Sequence, residues 1–90
     1  MIPSRKPGLA ERVIEGKTYV IDPASSTLHE IDETGTFIWR AIDGTRSHAQ
    51  LTQLVTKEYD VTETEARKDI DEFLVALKKQ GLLKSNSVER

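Results

Sequence analysis

The 90-residue sequence predicts a small α+β domain in the order β-β-β-α-α-α. Three observations carry this. Short β-branched runs separated by turn residues fill the first third. The apolar period then changes from two to about 3.6 after Ile31. The last half holds two amphipathic segments, each opened by a capping-box signature.

Residues 1–11 hold two prolines and a glycine without periodicity, and are expected to form a flexible N-terminal lead-in. From Arg12 the pattern becomes strand-like. Val13 and Ile14 precede the turn signal Glu15-Gly16-Lys17, and Thr18-Tyr19-Val20-Ile21 has the β-branched and aromatic content that strands prefer. Asp22-Pro23-Ala24-Ser25-Ser26 is a second turn. Thr27-Leu28-His29-Glu30-Ile31 is the third strand of an antiparallel meander.

Asp32 is the expected N-cap of a short first helix on which Ile38, Ala41 and Ile42 recur at helical spacing, flanked by Phe37 and Trp39, with Asp43-Gly44 as its stop. Ser47 and Gln50 form the first capping box, followed by Leu51, Leu54, Val55 and Tyr59 on one face. Thr62 and Glu65 form the second, ahead of Ala66, Ile70, Phe73, Leu74 and Leu77. Acidic residues early in this third helix and Lys78 and Lys79 late in it complement the helix dipole, and Gly81 closes it. The polar stretch 85–90 is expected to be a disordered tail, leaving one domain over 12–84. Three helices after a small sheet point to a winged helix-turn-helix-like fold.

Composition narrows the function classes. At 37% hydrophobic and 31% charged residues the chain falls in the globular range. It has no cysteine, which excludes disulfides, thiolate metal sites and cysteine nucleophiles and favours a reducing cytoplasm. No apolar run reaches the roughly 7–15 residues of a signal peptide or the about 20 of a membrane span.

No catalytic constellation stands out. The two histidines, His29 and His48, lack metal-ligand spacing to any other candidate. Asp69, Asp71 and Glu72 sit beside Arg67 and Lys68 and read as an ion-paired helix surface. The expectation is therefore no catalysis, no metal and no cofactor. Trp39 reads as a core or rim aromatic, with the sharper alternative that it anchors a partner enzyme.

A winged-helix fold raises DNA binding. A net charge of −2, and a third helix bearing Glu63, Glu65, Asp69, Asp71 and Glu72, oppose contact with phosphate. Peptide binding remains. If Thr27–Ile31 is the edge strand, an extended peptide can add beside it, with side chains entering pockets near Leu28, Ile70 and Leu74. A DNA-binding regulator and a small structural subunit of a larger enzyme are the alternatives.

The segment Leu28-His29-Glu30-Ile31-Asp32-Glu33-Thr34-Gly35-Thr36-Phe37-Ile38-Trp39, followed by Ile42-Asp43-Gly44, resembles the strand-to-helix signature of the PqqD family. Glu58-Tyr59-Asp60-Val61, Lys68-Asp69-Ile70-Asp71-Glu72-Phe73-Leu74, Leu77 and Gly81-Leu82-Leu83 are similar to its later blocks, so the resemblance spans about residues 12–84. Asp32 stands where the family usually has Asn, a mild departure because both cap helices. The resemblance implies a free-standing recognition element that binds the leader of a ribosomally made precursor peptide. It would present that leader to a modifying enzyme such as a radical SAM protein or a leader peptidase. Carried to this chain, the leader would pair along Thr27, Leu28, His29, Glu30 and Ile31. It would pack against a third-helix flank of Arg67, Ile70, Asp71, Leu74 and Lys78.

Overall fold

The computed structural model describes residues 2–84. Three antiparallel strands, β1 (Ala10–Ile14), β2 (Lys17–Asp22) and β3 (Thr27–Ile31), are followed by α1 (Glu33–Ala41), α2 (His48–Glu58) and α3 (Glu63–Lys79). The expected element order holds. The tail expected over 85–90 lies outside the described residues.

The sheet order is β1-β2-β3. Between β1 and β2 the chain reverses in two residues, Glu15 and Gly16, both at positive φ (52° and 84°). A primed hairpin turn requires that geometry, because its twist matches that of the strands it joins. Glycine supplies it at the second position without steric cost. The turn sets the register, with Ile14 opposite Lys17 and Thr18 opposite Val13 on one side and Ile31 on the other.

One face of the sheet is covered by helices. Thr18, Val20 and Asp22 of β2 and Ile31 of β3 are buried there, against Ile38 and Trp39 of α1. Leu51 and Val55 of α2 and Ala66, Ile70, Leu74 and Leu77 of α3 complete the core with Leu82 and Leu83. The buried hydroxyls of Thr18 and Thr36 satisfy one another at 2.9 Å, which joins β2 to α1 through the core. Each expected N-cap is present: Asp32 accepts from the Gly35 amide, and Ser47 and Thr62 both close complete capping boxes. At its other end α1 stops two residues before the expected Asp43-Gly44 signal, with Ile42 as its C-cap.

The N-terminal lead-in departs from expectation. Rather than hanging free, residues 3–6 run antiparallel to residues 82–84. The Lys6 amide donates to the Leu82 carbonyl (3.0 Å) and the Lys84 amide to the Ser4 carbonyl (3.0 Å), while Arg5 bridges Leu83. Pro3 is fully buried, and Lys6 pairs with Asp22 at 3.0 Å. These long-range contacts have no periodicity for a sequence reading to find. β1 accordingly begins at Ala10, ahead of the expected Arg12.

Candidate peptide-binding site

β3 hydrogen-bonds to β2 along one side, and the sheet ends with it. In an antiparallel pair every second residue turns its N–H and C=O away from the neighbouring strand, so the far side of β3 offers main-chain donors and acceptors. Period-two alternation then sorts its side chains. His29 lies opposite Val20 and shares the inner face with Ile31, and His29 is half-buried. Leu28 lies opposite Ile21 on the outer face and is 62% exposed. Glu30 is on that outer face too, paired with Lys17 at 3.6 Å. Of the sequence-expected apolar pockets, Leu28 therefore lines none beneath the helices.

Contacts at Gly35 show which part of α3 approaches β3. A Cβ built on Gly35 would lie 2.6 Å from Ile31 Cγ2 and 3.0 Å from Phe73 Cε1. Only a residue without a side chain lets the end of β3, the first turn of α1 and the Phe73 ring meet so closely. Phe73 is half-buried and packs on the core rim at this point. Asp69 and Ala76 stand one turn to either side of Phe73 on the same flank, and both are exposed.

The expected flank of α3 faces elsewhere. Ile70 is 0% exposed and Leu74 4%, so both belong to the core and neither can meet a peptide side chain without repacking. Asp71 points toward α2, where its Oδ1 meets His48 Nε2 at 2.6 Å. Arg67 and Lys78 share that side of the helix by spacing, and Arg67 is held by Glu63 at 3.3 Å. Of the sequence-expected flank Asp71 thus borders α2, while Phe73, on the other side of the buried stripe, borders the end of β3. A helical stripe at i, i+4 spacing identifies a side of the helix but not the neighbour it meets. The structure brings Ile31, at the end of β3, together with Phe73, and turns Asp71 toward His48 of α2.

Trp39 is 1% exposed, which agrees with its reading as a core aromatic and removes the alternative of a partner-enzyme anchor. Its Nε1 donates to Glu11 Oε1, and the Arg5 guanidinium covers its ring. Among the described residues no group of three or more His, Asp or Glu side chains is placed to hold a metal ion. No helix among them is long and apolar enough to cross a membrane.

A three-stranded meander backed by three helices, with an open edge strand whose end meets the last helix, defines a winged helix-turn-helix-like domain. The family model for coenzyme PQQ synthesis protein D (PqqD) matches residues 17–83, and the chain belongs to that family. Solved structures of the same fold include TbiB1 in complex with the TbiA(beta) leader peptide, at TM-score 0.86 and 19% identity over 94% of this chain and 99% of that one. A lasso peptide synthetase B1 complexed with the leader peptide aligns at TM-score 0.84 and 23% identity, covering 93% and 99%. The PqqD truncation of Methylobacterium extorquens PqqCD, described as a functional and stand-alone RiPP recognition element, aligns at TM-score 0.76 and 21% identity, covering 92% and 88%. No curated protein sequence matches the chain.

Proposed function

We propose that this protein binds the leader segment of a ribosomally synthesised precursor peptide as an added strand on β3 and presents it to a modifying enzyme. The reading rests above all on the open edge of β3 running beside the Phe73 flank of α3, in a chain of the PqqD family. Main-chain hydrogen bonds to Thr27–Ile31 supply affinity, and side chains of the added strand that turn inward meet His29, Phe73 and Asp69. Two structural neighbours are named as complexes with leader peptides, which supports the same use of this fold.

The module acts without catalysis of its own, in the cytoplasm, and hands the leader to a radical SAM enzyme or a leader peptidase. Nucleic acid is disfavoured as a partner. The exposed side of α3 carries Glu63, Glu65, Asp69, Asp71 and Glu72, and its acidic first turns repel phosphate.

An amide NMR titration of the labelled protein with candidate leader peptides tests the reading. Shifts are expected at residues 27–31 and around Asp69, Phe73 and Ala76. A saturating leader that moves only resonances outside both segments would sink strand addition at β3.

A further inference from the structure

The sheet has a second open side. β1 forms its opposite edge, and between β1, α1 and α2 lies a cleft of about 570 Å³. Val13, Phe37, Ala41 and Leu54 make its apolar lining, and Arg40 and Arg46 flank it. Val13 is on the inner face of β1, opposite the buried Thr18, yet it is 47% exposed because the helices stop short of it. The cleft is therefore the uncovered end of the layer that buries the rest of the sheet.

Its charges are asymmetric. Arg40 is exposed and forms no ion pair among the described residues. Arg46 is held in place by the Ala41 carbonyl (3.2 Å) and by Asp43 (2.9 Å). Among the described residues the carboxylate lining the cleft is Glu33 of α1, whose side chain reaches the β1–β2 turn, with its Oε2 3.1 Å from where a Cβ on Gly16 would be. Guanidinium groups bind carboxylates in two-point geometry and are weakly hydrated for cations, so they favour protein–protein contacts. An apolar depression bordered by the exposed guanidinium of Arg40, with that of Arg46 already engaged by Asp43, complements an acidic segment with one large apolar side chain.

We propose that this cleft docks such an acidic, apolar-anchored segment of the modifying enzyme, so that the module holds leader and enzyme at opposite sheet edges. This rests on the leader-binding reading of β3, because presentation requires a second surface that the leader leaves free. β1 and β3 are separated by β2, which puts the two edges about 10 Å apart and lets both be occupied together.

The probe is a synthetic blocked peptide, Glu-Glu-Leu-Phe-Glu-Glu, compared with the same peptide carrying Lys at every Glu position. Titrated into the full labelled chain, the acidic peptide should shift the amides of Phe37, Arg40, Ala41 and Leu54 while residues 27–31 stay still. The basic peptide should not. Arg40→Glu, at an exposed position that leaves the fold intact, should weaken the acidic peptide about fivefold. Equal response to both peptides, or no response at the cleft, overturns the proposal. Concentration-dependent shifts there without peptide overturn it too, by assigning the cleft to a second copy of the chain. A leader titration on the same sample separates the readings. A silent β3 with a responsive cleft removes leader binding, and a responsive β3 with a silent cleft removes enzyme docking.

Discussion

The guanidinium of Arg5 lies over the indole of Trp39, with its Cζ 4.9 Å from the ring centroid. The same side chain donates from Nε to the Ile42 carbonyl (3.0 Å) and from Nη1 to Glu11 (2.9 Å), and Glu11 in turn accepts from the indole N–H. One residue of the N-terminal segment thereby ties together β1 and the end of α1. The planar fork and the stacking surface are both in use, and lysine offers neither. Arg5→Ala is expected to destabilise the fold by about 1–3 kcal/mol. Arg5→Lys should recover little of that loss. Urea unfolding followed by the fluorescence of Trp39, the chain's single tryptophan, measures both. Wild-type stability in Arg5→Ala would return residues 2–9 to the status of a loose lead-in.

Gly35 of α1 is crowded by Ile31 at the end of β3 and by Phe73 of α3. Gly35→Ala places a methyl group 2.6 Å from Ile31 Cγ2, so the strand end or the Phe73 ring must move. Overpacking of this kind costs about 1–3 kcal/mol, well beyond what alanine gains from its helix propensity. Thermal unfolding reads the cost. Unchanged stability would mean that the β3–α3 junction yields easily.

Asp22 gives the fold an acid-sensitive contact. Its side-chain hydrogen bond with Lys6 (3.0 Å) and the Ala24 amide (3.0 Å) hold its carboxyl below the ordinary carboxylate value. A depressed folded-state value means that the stabilisation is fully present above the unfolded value, about pH 3.9, and is lost as pH falls through the lower folded value. At neutral pH it is flat. Asp22→Asn should therefore be less stable than the parent by a constant margin above about pH 4, narrowing below it. Urea midpoints between neutral and strongly acidic pH test this. A margin that does not change with pH would show that the carboxylate charge contributes nothing.

Asp69 and Asp71 are two residues apart but border different neighbours. Asp71 meets His48 on α2, whereas the exposed Asp69 stands one helical turn before Phe73, which approaches the end of β3. Asp69→Lys is expected to change the affinity for a charged leader severalfold, and Asp71→Lys to leave it nearly unchanged. Calorimetric titration of both variants with one leader decides between the two flanks. The reverse ranking would restore the Arg67–Asp71–Lys78 side of the helix as the binding wall.

Much of the architecture was legible in the chain itself because its signals are local. The Glu15-Gly16 turn, the β-branched and aromatic run Thr18–Ile21, the Asp32 cap and the two capping boxes each depend on residues a few positions apart. Each forms as its chemistry requires. The edge strand Thr27–Ile31 was legible for the same reason. What lay beyond the sequence was every question of neighbour. Helical spacing put Arg67, Asp71 and Lys78 on one side of α3, but the packing of α2 on α3 turned that side away from β3. Ile70, Leu74 and Trp39 are apolar or aromatic side chains that core and groove use alike, and only burial assigned them to the core. The lead-in carried no periodicity, and its order comes from the burial of Pro3 and from Ser4, Arg5 and Lys6 bonding to residues dozens of positions away. Elements and caps are decided by local hydrogen bonding, which sequence encodes directly. Which face meets which is decided by how three helices share one small sheet, and that exists only once the chain has folded.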